Sequence, residues 1–314
     1  MSSTSFDTEA LAAICTTLMS YMIKLYLSFY VVFPLVSVNQ ERKLWKHPLP
    51  KLSLWGMLKV YLFNVVWFVS CQLGAIFLLP KFLLGMNVEL GANKTEVFSS
   101  YSVISCFIGP VVLKGKENLP PVSKSDATQA CPSTCVFVAN HASQIDAGVV
   151  YYIRRRFKWI AKKSIIYLPG VGQIMYMGNH IFINRSKGSN RVNIKNMYRE
   201  AKVALTTGIS MFVFPQGTRR MVERLPFKDG AFNMAIETEV PIIPISIEIP
   251  LTNVWNTSYP LNLLWKKREN LDKIILTVHK PVSVSKDSDK EKLKERCFNT
   301  IYSVLPDIAD CKKD

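Results

Sequence analysis

Residues 136–148 read VFVANHASQIDAG. Val136 to Ala139 run without a polar break into Asn140 and His141, and Asp146 follows the histidine by five positions. A short apolar run of this kind is a strand covered on both faces. Ser143 then has the position of an N-cap for a helix through Ile153, and Ser143-x-x-Asp146 has capping-box spacing, with Asp in place of the usual Glu or Gln. The same residues carry a second meaning. If the turn brings the two side chains together, Asp146 accepts from one imidazole nitrogen and leaves the other free to take a proton from an alcohol. Spacing alone leaves cap and dyad both open, because isolated H-x4-D patterns are common. His47, His180 and His279 have no acidic residue at similar spacing.

Outward from this stretch, strand-like and helix-like runs alternate. Thr134–Ala139, Phe157–Ala161, His180–Ile183, Ile209–Phe214, Pro241–Ile247 and Lys273–His279 are short, rich in Val, Ile and Phe, and mostly apolar throughout. The clearest helix is Ser189–Thr206. There Ile194, Met197, Tyr198, Ala201, Ala204 and Leu205 share one face, and Lys195, Arg199 and Lys202 the other. Gly230–Glu239 and Asp287–Leu305 are the next two. This alternation predicts an α/β fold, one sheet flanked by helices.

Toward the N-terminus the chain turns apolar. Val60–Leu79 is 20 residues without a charge, long enough to cross a bilayer core as a helix. Ala10–Val38 is equally apolar but carries Lys24 at its middle and Pro34 near its end. A lysine at bilayer depth costs a few kcal/mol. The first segment therefore spans, lies in the interface with Lys24 reaching the headgroups, or pairs with the second as a shallow hairpin. The start, MSSTSFDTEA, has Asp7, Glu9 and no arginine, which fits neither a secretory signal nor a transit peptide. Residues 1–90 are expected to be a retained membrane-anchoring helical segment, and 91–314 the α/β domain. Arg42, Lys43, Lys46, Lys51 and Lys59 make the connecting loop basic, and such loops favour the cytosol. A spanning pair would put the domain on the opposite face, whereas a one-leaflet pair would keep loop and domain on one side.

The chain holds 39 Lys and Arg against 23 Asp and Glu, a net charge of +16. No acidic residue lies between Asp146 and Glu200, where eleven basic residues fall. That stretch calls for an anionic partner: nucleic acid, an anionic membrane or a phosphorylated substrate. A membrane anchor in the same chain favours the last two, so no nucleic acid is expected. Of seven cysteines only Cys131 and Cys135 are close, with no further ligand nearby, so reduced thiols are expected rather than zinc.

Two further strand ends bear arginine. FPQGTRR (214–220) follows the apolar run ISMFVF, so a glycine turn offers backbone amides beside two guanidinium groups. Its spacing is not that of a phosphate-binding Walker loop. HIFINRS (180–186) ends in Arg185, and VPIIPISI (240–247) is a buried strand that begins and bends at prolines.

In this order the blocks resemble the glycerolipid acyltransferases, and among them the 1-acylglycerol-3-phosphate acyltransferases. NHASQID matches the family's N-H-x-S-x-x-D, FINRS its F-I-D-R, FPQGTRR its F-P-E-G-T-R and VPIIPI its V-P-I-V-P. AKKSIIYLPGVG (161–172) and LPFKDGAF (225–232) are similar to its connecting stretches, and the likeness runs from Val111 to His279. The resemblance implies a mixed sheet flanked by helices behind a membrane-embedded helix pair. It also implies acyl transfer from acyl-CoA, a co-substrate, to the sn-2 hydroxyl of lysophosphatidic acid, giving phosphatidic acid. No other cofactor and no metal are implied. His141 would be the general base, oriented by Asp146, with backbone amides near the motif turns as donors to the carbonyl oxygen. Neither Ser143 nor a cysteine need act as nucleophile. Lys162, Arg185 and Arg219 would hold the acceptor's phosphate, with Gln216, Gly217 and Thr218 completing the substrate-binding set. Gln216 and Asn184 replace the family's acidic residues, which leaves a more positive pocket. The alternatives are another acceptor, glycerol 3-phosphate or a headgroup-bearing lysophospholipid, and a non-catalytic lipid-binding relative. Lipid bilayer, lysophosphatidic acid and acyl-CoA are the expected partners, and the endoplasmic reticulum membrane the expected location.

Overall fold

A computed structural model describes residues 8–45, 51–121, 133–184, 191–221, 223–250, 254–255 and 273–306. Its centre is a seven-stranded mixed sheet in the order β1-β7-β6-β2-β5-β3-β4. The strands are β1 (Val111–Lys114), β2 (Val136–Ala139), β3 (Phe157–Lys162), β4 (Ile181–Ile183), β5 (Ser210–Val213), β6 (Ile242–Glu248) and β7 (Ile274–Val278). β6, β2, β5, β3 and β4 run parallel. β7 is antiparallel to β6, and β1 is parallel to β7. All six strands expected from the sequence are present. β1 was not among them, because VVLK is short, only half-buried and framed by Pro110 and Gly115.

Alternation along each strand explains why the runs are apolar throughout. Phe137, Ala139, Phe212, Ile243 and Ile245 face one layer, where they meet Val60, Phe63, Val103 and Phe107 of the N-terminal helices. Val136, Val138, Met211 and Ile242 face the other layer, against Ala201, Phe232 and Cys297 of the later helices. Both faces are covered, so few positions are left for polar residues, Ser210 and Ser246 being buried exceptions. The later helices are α4 (Ile145–Val149), α5 (Val171–Met177), α6 (Arg191–Thr206), α7 (Gly230–Thr238) and α8 (Lys290–Tyr302). A single 3-10 turn carries α4 on to Ile153, as the sequence predicted.

Three N-terminal helices precede the sheet: α1 (Thr8–Leu44), α2 (Leu54–Leu83) and α3 (Glu89–Val103). α2 is not a detached span. Its buried residues Gly56, Val60, Phe63, Phe68, Cys71, Ala75 and Leu78 form one face that runs from end to end. That face packs on the sheet layer, and further along on α3 and α5 through Ala92, Ile174 and Met177. Gly170, at φ +70°, sits so close that a β-carbon there would lie 2.2 Å from the Phe68 carbonyl oxygen. The other faces of the pair are apolar and uncovered: Leu18, Met22, Leu25 and Leu35 on α1, and Leu73, Ile76, Phe77 and Leu83 on α2, are exposed. Both helices are long and apolar enough to cross a membrane, and an apolar surface this extensive marks a membrane or protein contact. Cys71, Cys135 and Cys297 are buried free thiols. Cys131 lies outside the described residues.

Candidate active site

The motif residues gather where the parallel strands end, the edge at which open α/β sheets bind ligands. β2 delivers Asn140 and His141, β5 delivers Gln216 to Arg219, and β3 ends at Lys162, which is exposed. β4 ends at Ile183, two residues before Arg185. Arg185 itself lies outside the described residues.

Asn140 is structural. Its side chain donates to the Ile247 carbonyl (2.9 Å) and accepts from the Ile247 amide (2.8 Å), which pins the end of β2 to β6. The turn then closes around one carboxylate oxygen. Asp146 Oδ2 accepts from His141 Nδ1 (2.8 Å), the Ala142 amide (2.6 Å) and the Ser143 amide (2.9 Å). Asp146 therefore caps the start of its own helix and binds the histidine with the same atom. The N-cap is Gln144, one residue later than the sequence suggested. Asp146 is fully buried, and its second oxygen, Oδ1, has no partner.

This geometry sets the histidine's tautomer. An anionic oxygen facing Nδ1 places the proton there, and Nε2 is left as an acceptor with no partner among the described residues. The ring lies flat on Phe214, with centroids 4.0 Å apart and planes 6° off parallel. Gln216 holds the backbone behind it: its Oε1 accepts from the His141 amide (2.9 Å), and the Arg220 amide donates to the His141 carbonyl (2.9 Å). Gln216 is nearly fully buried, its Nε2 unpaired. The side chain that replaces the family's acid thus supports His141 from below. Nearby Tyr302 has its hydroxyl pushed up to about 12, mainly by burial.

A second histidine–carboxylate pair went unnoticed in the sequence because its acid lies 84 positions away. His180 Nε2 meets Glu96 Oε1 at 2.7 Å, while its Nδ1 accepts from the Trp159 amide (2.9 Å). Both nitrogens are committed and the ring is buried. His180 has no nitrogen left for a substrate proton, so the two pairs differ in kind.

Several of the motif-turn amides that the sequence offers as donors are already engaged. The Ala142 and Ser143 amides are spent on Asp146, and that of Gly217 donates to the Phe214 carbonyl (3.0 Å). The amides of Thr218 and Arg219 make no hydrogen bond among the described residues, and Thr218 is exposed. Gly217, at φ +72°, leaves room for Lys228: a β-carbon there would lie 2.7 Å from the Lys228 ammonium. That cation comes from the LPFKDGAF stretch and is exposed.

The basic stretch after Asp146 is partly answered within the protein. Arg156 pairs with Glu89 of α3 at 2.6 Å, and Lys158 with the same carboxylate at 3.6 Å. Arg155 donates to the Pro120 carbonyl and Arg154 to the Tyr101 hydroxyl. Burial lowers the Lys158 ammonium below its ordinary value. These four cations are thereby removed from the argument for an anionic partner.

Glu41, near the end of α1 and past its apolar stretch, reaches into this site and is fully buried. Its Oε1 accepts from Ser143 Oγ (3.0 Å) and Trp255 Nε1 (3.2 Å), and its Oε2 pairs with Arg219 Nη1 (3.3 Å). Gln40 Oε1 takes the neighbouring Arg219 Nη2 (3.0 Å). Burial pushes the Glu41 carboxyl up to about 7, against the opposing pull of Arg219, Ser143 and Trp255. No local pattern in the sequence could have placed it here.

A family model described as Acyltransferase matches residues 110–248. Human 1-acyl-sn-glycerol-3-phosphate acyltransferase beta is 37% identical over 113 residues, which is 35% of this chain and 40% of that protein. A 1-acyl-sn-glycerol-3-phosphate acyltransferase of Chlamydomonas reinhardtii is 33% identical over 138 residues, 44% of this chain and 38% of its own length. The chain thus spans well under two thirds of either relative. That of Haemophilus influenzae is 28% identical over 232 residues, 73% of this chain and 85% of that protein. The crystal structure of the 1-acyl-sn-glycerophosphate (LPA) acyltransferase PlsC from Thermotoga maritima shares the fold, with a TM-score of 0.57 at 22% identity over 81% of this chain and 96% of that one. Residues 110–248 therefore form an acyltransferase domain, and the chain is similar to 1-acyl-sn-glycerol-3-phosphate acyltransferases in sequence and to PlsC in fold.

Proposed function

We propose that the chain transfers a fatty acyl group from acyl-CoA to the sn-2 hydroxyl of 1-acylglycerol 3-phosphate, giving phosphatidic acid. The observation that carries this reading is an imidazole fixed at Nδ1 by a buried carboxylate, with Nε2 open at the C-terminal edge of the parallel strands. Nε2 takes the acceptor's hydroxyl proton as the oxygen attacks the thioester carbon. The carbonyl oxygen gathers charge in the tetrahedral intermediate, and the free amides of Thr218 and Arg219 are its candidate donors. Collapse expels the coenzyme A thiolate, and the imidazolium returns its proton to the sulfur or to water. No acyl-enzyme is needed. Arg219 would grip the acceptor's phosphate, with Lys162, Lys228 and Arg185 as further cations; an arginine fork suits phosphate oxygens.

Residues 1–90 serve in this reading as the membrane anchor, seated in one leaflet. A helix packed on the domain along its whole length cannot also stand clear of it across a bilayer core about 30 Å thick, and the α2 packing face has that extent. The uncovered apolar faces then meet acyl chains, and the acceptor reaches the site from the same leaflet. The test is a panel of purified protein with acyl-CoA or acyl carrier protein as donor. Lysophosphatidic acid, glycerol 3-phosphate or lysophosphatidylcholine would be the acceptor. Phosphatidic acid formed fastest from acyl-CoA and lysophosphatidic acid, and lost in His141→Ala, is the expected result. Activity that survives His141→Ala removes the general base.

A further inference from the structure

The motif turn that holds Arg219 lacks a carboxylate of its own, because residue 216 is a glutamine turned toward His141. A carboxylate is nevertheless in place. It comes from Glu41, 178 positions upstream of Arg219, at the end of the helix whose apolar length faces outward. This carboxylate is specific in its contacts: Ser143 and Trp255 fix Oε1, which leaves Oε2 directed at the guanidinium. Gln40, the adjacent residue, takes the second terminal nitrogen of the same guanidinium. Arginine carries five N–H donors, so a fork held at Nη1 and Nη2 keeps Nε–H and one hydrogen on each terminal nitrogen for a ligand. Since Ser143 lies in the catalytic turn, one buried carboxylate joins the anchor helix, the histidine turn and the arginine turn.

We propose that Glu41 is a positioning residue for the acceptor's phosphate: by holding Arg219 from α1, with Gln40, it supplies the carboxylate that the FPQGTRR turn lacks. This rests on the proposed acyl transfer for its substrate but not for its geometry. Glu41 acts through Arg219 and touches neither the thioester nor the hydroxyl.

The test is a double-mutant cycle on Glu41→Gln and Arg219→Ala, in full-length protein held in detergent micelles. Gln keeps an acceptor for Ser143 and Trp255, so the fold should survive, and thermal unfolding checks it. Glu41→Gln is expected to raise KM for lysophosphatidic acid about tenfold, the scale of the freedom a released arginine regains. kcat and the acyl-CoA KM should stay within about twofold. Arg219→Ala should raise KM further, and adding Glu41→Gln to it should change nothing more. Equal fold-effects of Glu41→Gln in both backgrounds, or kcat and both KM values falling together, would overturn the assignment. Gln40→Ala, at an exposed position, should move acceptor KM in the same direction and again only while Arg219 is present; it decides the matter should Glu41→Gln fail to fold. Binding of glycerol 3-phosphate by equilibrium dialysis repeats the cycle without turnover. A wild type that binds it with the same non-additivity but transfers no acyl group sinks the proposed activity and keeps the role of Glu41. A wild type that binds no phosphate ligand sinks the role of Glu41.

Discussion

Asp146→Asn separates the two duties of a single oxygen. Three groups face Asp146 Oδ2, all donors: His141 Nδ1 at 2.8 Å and the amides of Ala142 and Ser143 at 2.6 and 2.9 Å. Asparagine satisfies them only with its carbonyl oxygen in that place, which puts the amide nitrogen at the site of Oδ1, where no partner exists. The cap and the tautomer therefore persist, at a cost of about 1–3 kcal/mol for a buried unpaired amide. What disappears is the charge. In the proposed reaction an imidazolium formed as His141 takes the hydroxyl proton would have its charge centre about 4 Å from that of the carboxylate, worth about 4 kcal/mol at an effective dielectric constant near 20. At about 1.4 kcal/mol per decade this is a loss of roughly a thousandfold in kcat. The assay is phosphatidic acid formation at saturating acyl-CoA, with unfolding followed by scanning fluorimetry. kcat should fall by about that factor with acceptor KM unchanged, while the melting temperature falls by only a few degrees. Asp146→Ala, which removes all three bonds, should lose more stability. A folded Asp146→Asn that keeps more than a tenth of wild-type kcat would reduce Asp146 to a helix cap.

Three further outcomes are expected. Gly170→Ala puts a β-carbon 2.2 Å from the Phe68 carbonyl oxygen and 2.4 Å from the Gln72 amide nitrogen, both backbone atoms of α2, at φ +70°. Neither side can yield cheaply, so stability should fall by about 3 kcal/mol or more, and a melting temperature within a degree of wild type would show that α2 does not dock there. Gln216→Glu keeps an acceptor for the His141 amide but places charge where Nε2 has no partner; acceptor KM should rise severalfold with kcat little changed, and an unchanged KM counts against the reading. Glu41 has a folded pKa of about 7, raised from 4.5. Its contribution is fully present below pH 4.5 and lost as pH rises through about 7, a swing of about 3 kcal/mol. Between pH 5 and 8 wild type should therefore lose that much stability relative to Glu41→Gln, and parallel stability profiles for the two proteins would refute it.

What the sequence revealed and what it withheld divide along one physical line. Strands such as β2 and β6 were legible because covering both faces leaves a run of apolar residues that little else produces. The helix through Ile153 and the His141–Asp146 contact were legible because five residues of turn confine both. β1 was missed because an edge strand of four half-buried residues carries neither signal. The free amides could not be assigned from motif positions, since the fold consumes those of Ala142, Ser143 and Gly217 internally. Long-range partners leave no spacing to read, which is why Glu96 for His180 and Glu41 for Arg219 emerged only from the fold.

That last pair alters what Gln216 means. In the sequence its missing charge raised the prospect of a surplus of positive charge around Arg219. In the fold Gln216 is occupied beneath His141, and Arg219 is paired with a carboxylate of α1. A buried carboxylate without compensation is costly, and this one is met by a hydroxyl, an indole and a guanidinium. Removing any one of these leaves the others facing an under-satisfied charge, so α1 cannot shift without disturbing both motif turns. α1 is on this account part of the site's framework. A form of the chain cut after residue 45 should therefore lose acceptor affinity even in micelles, where no membrane remains to be anchored to.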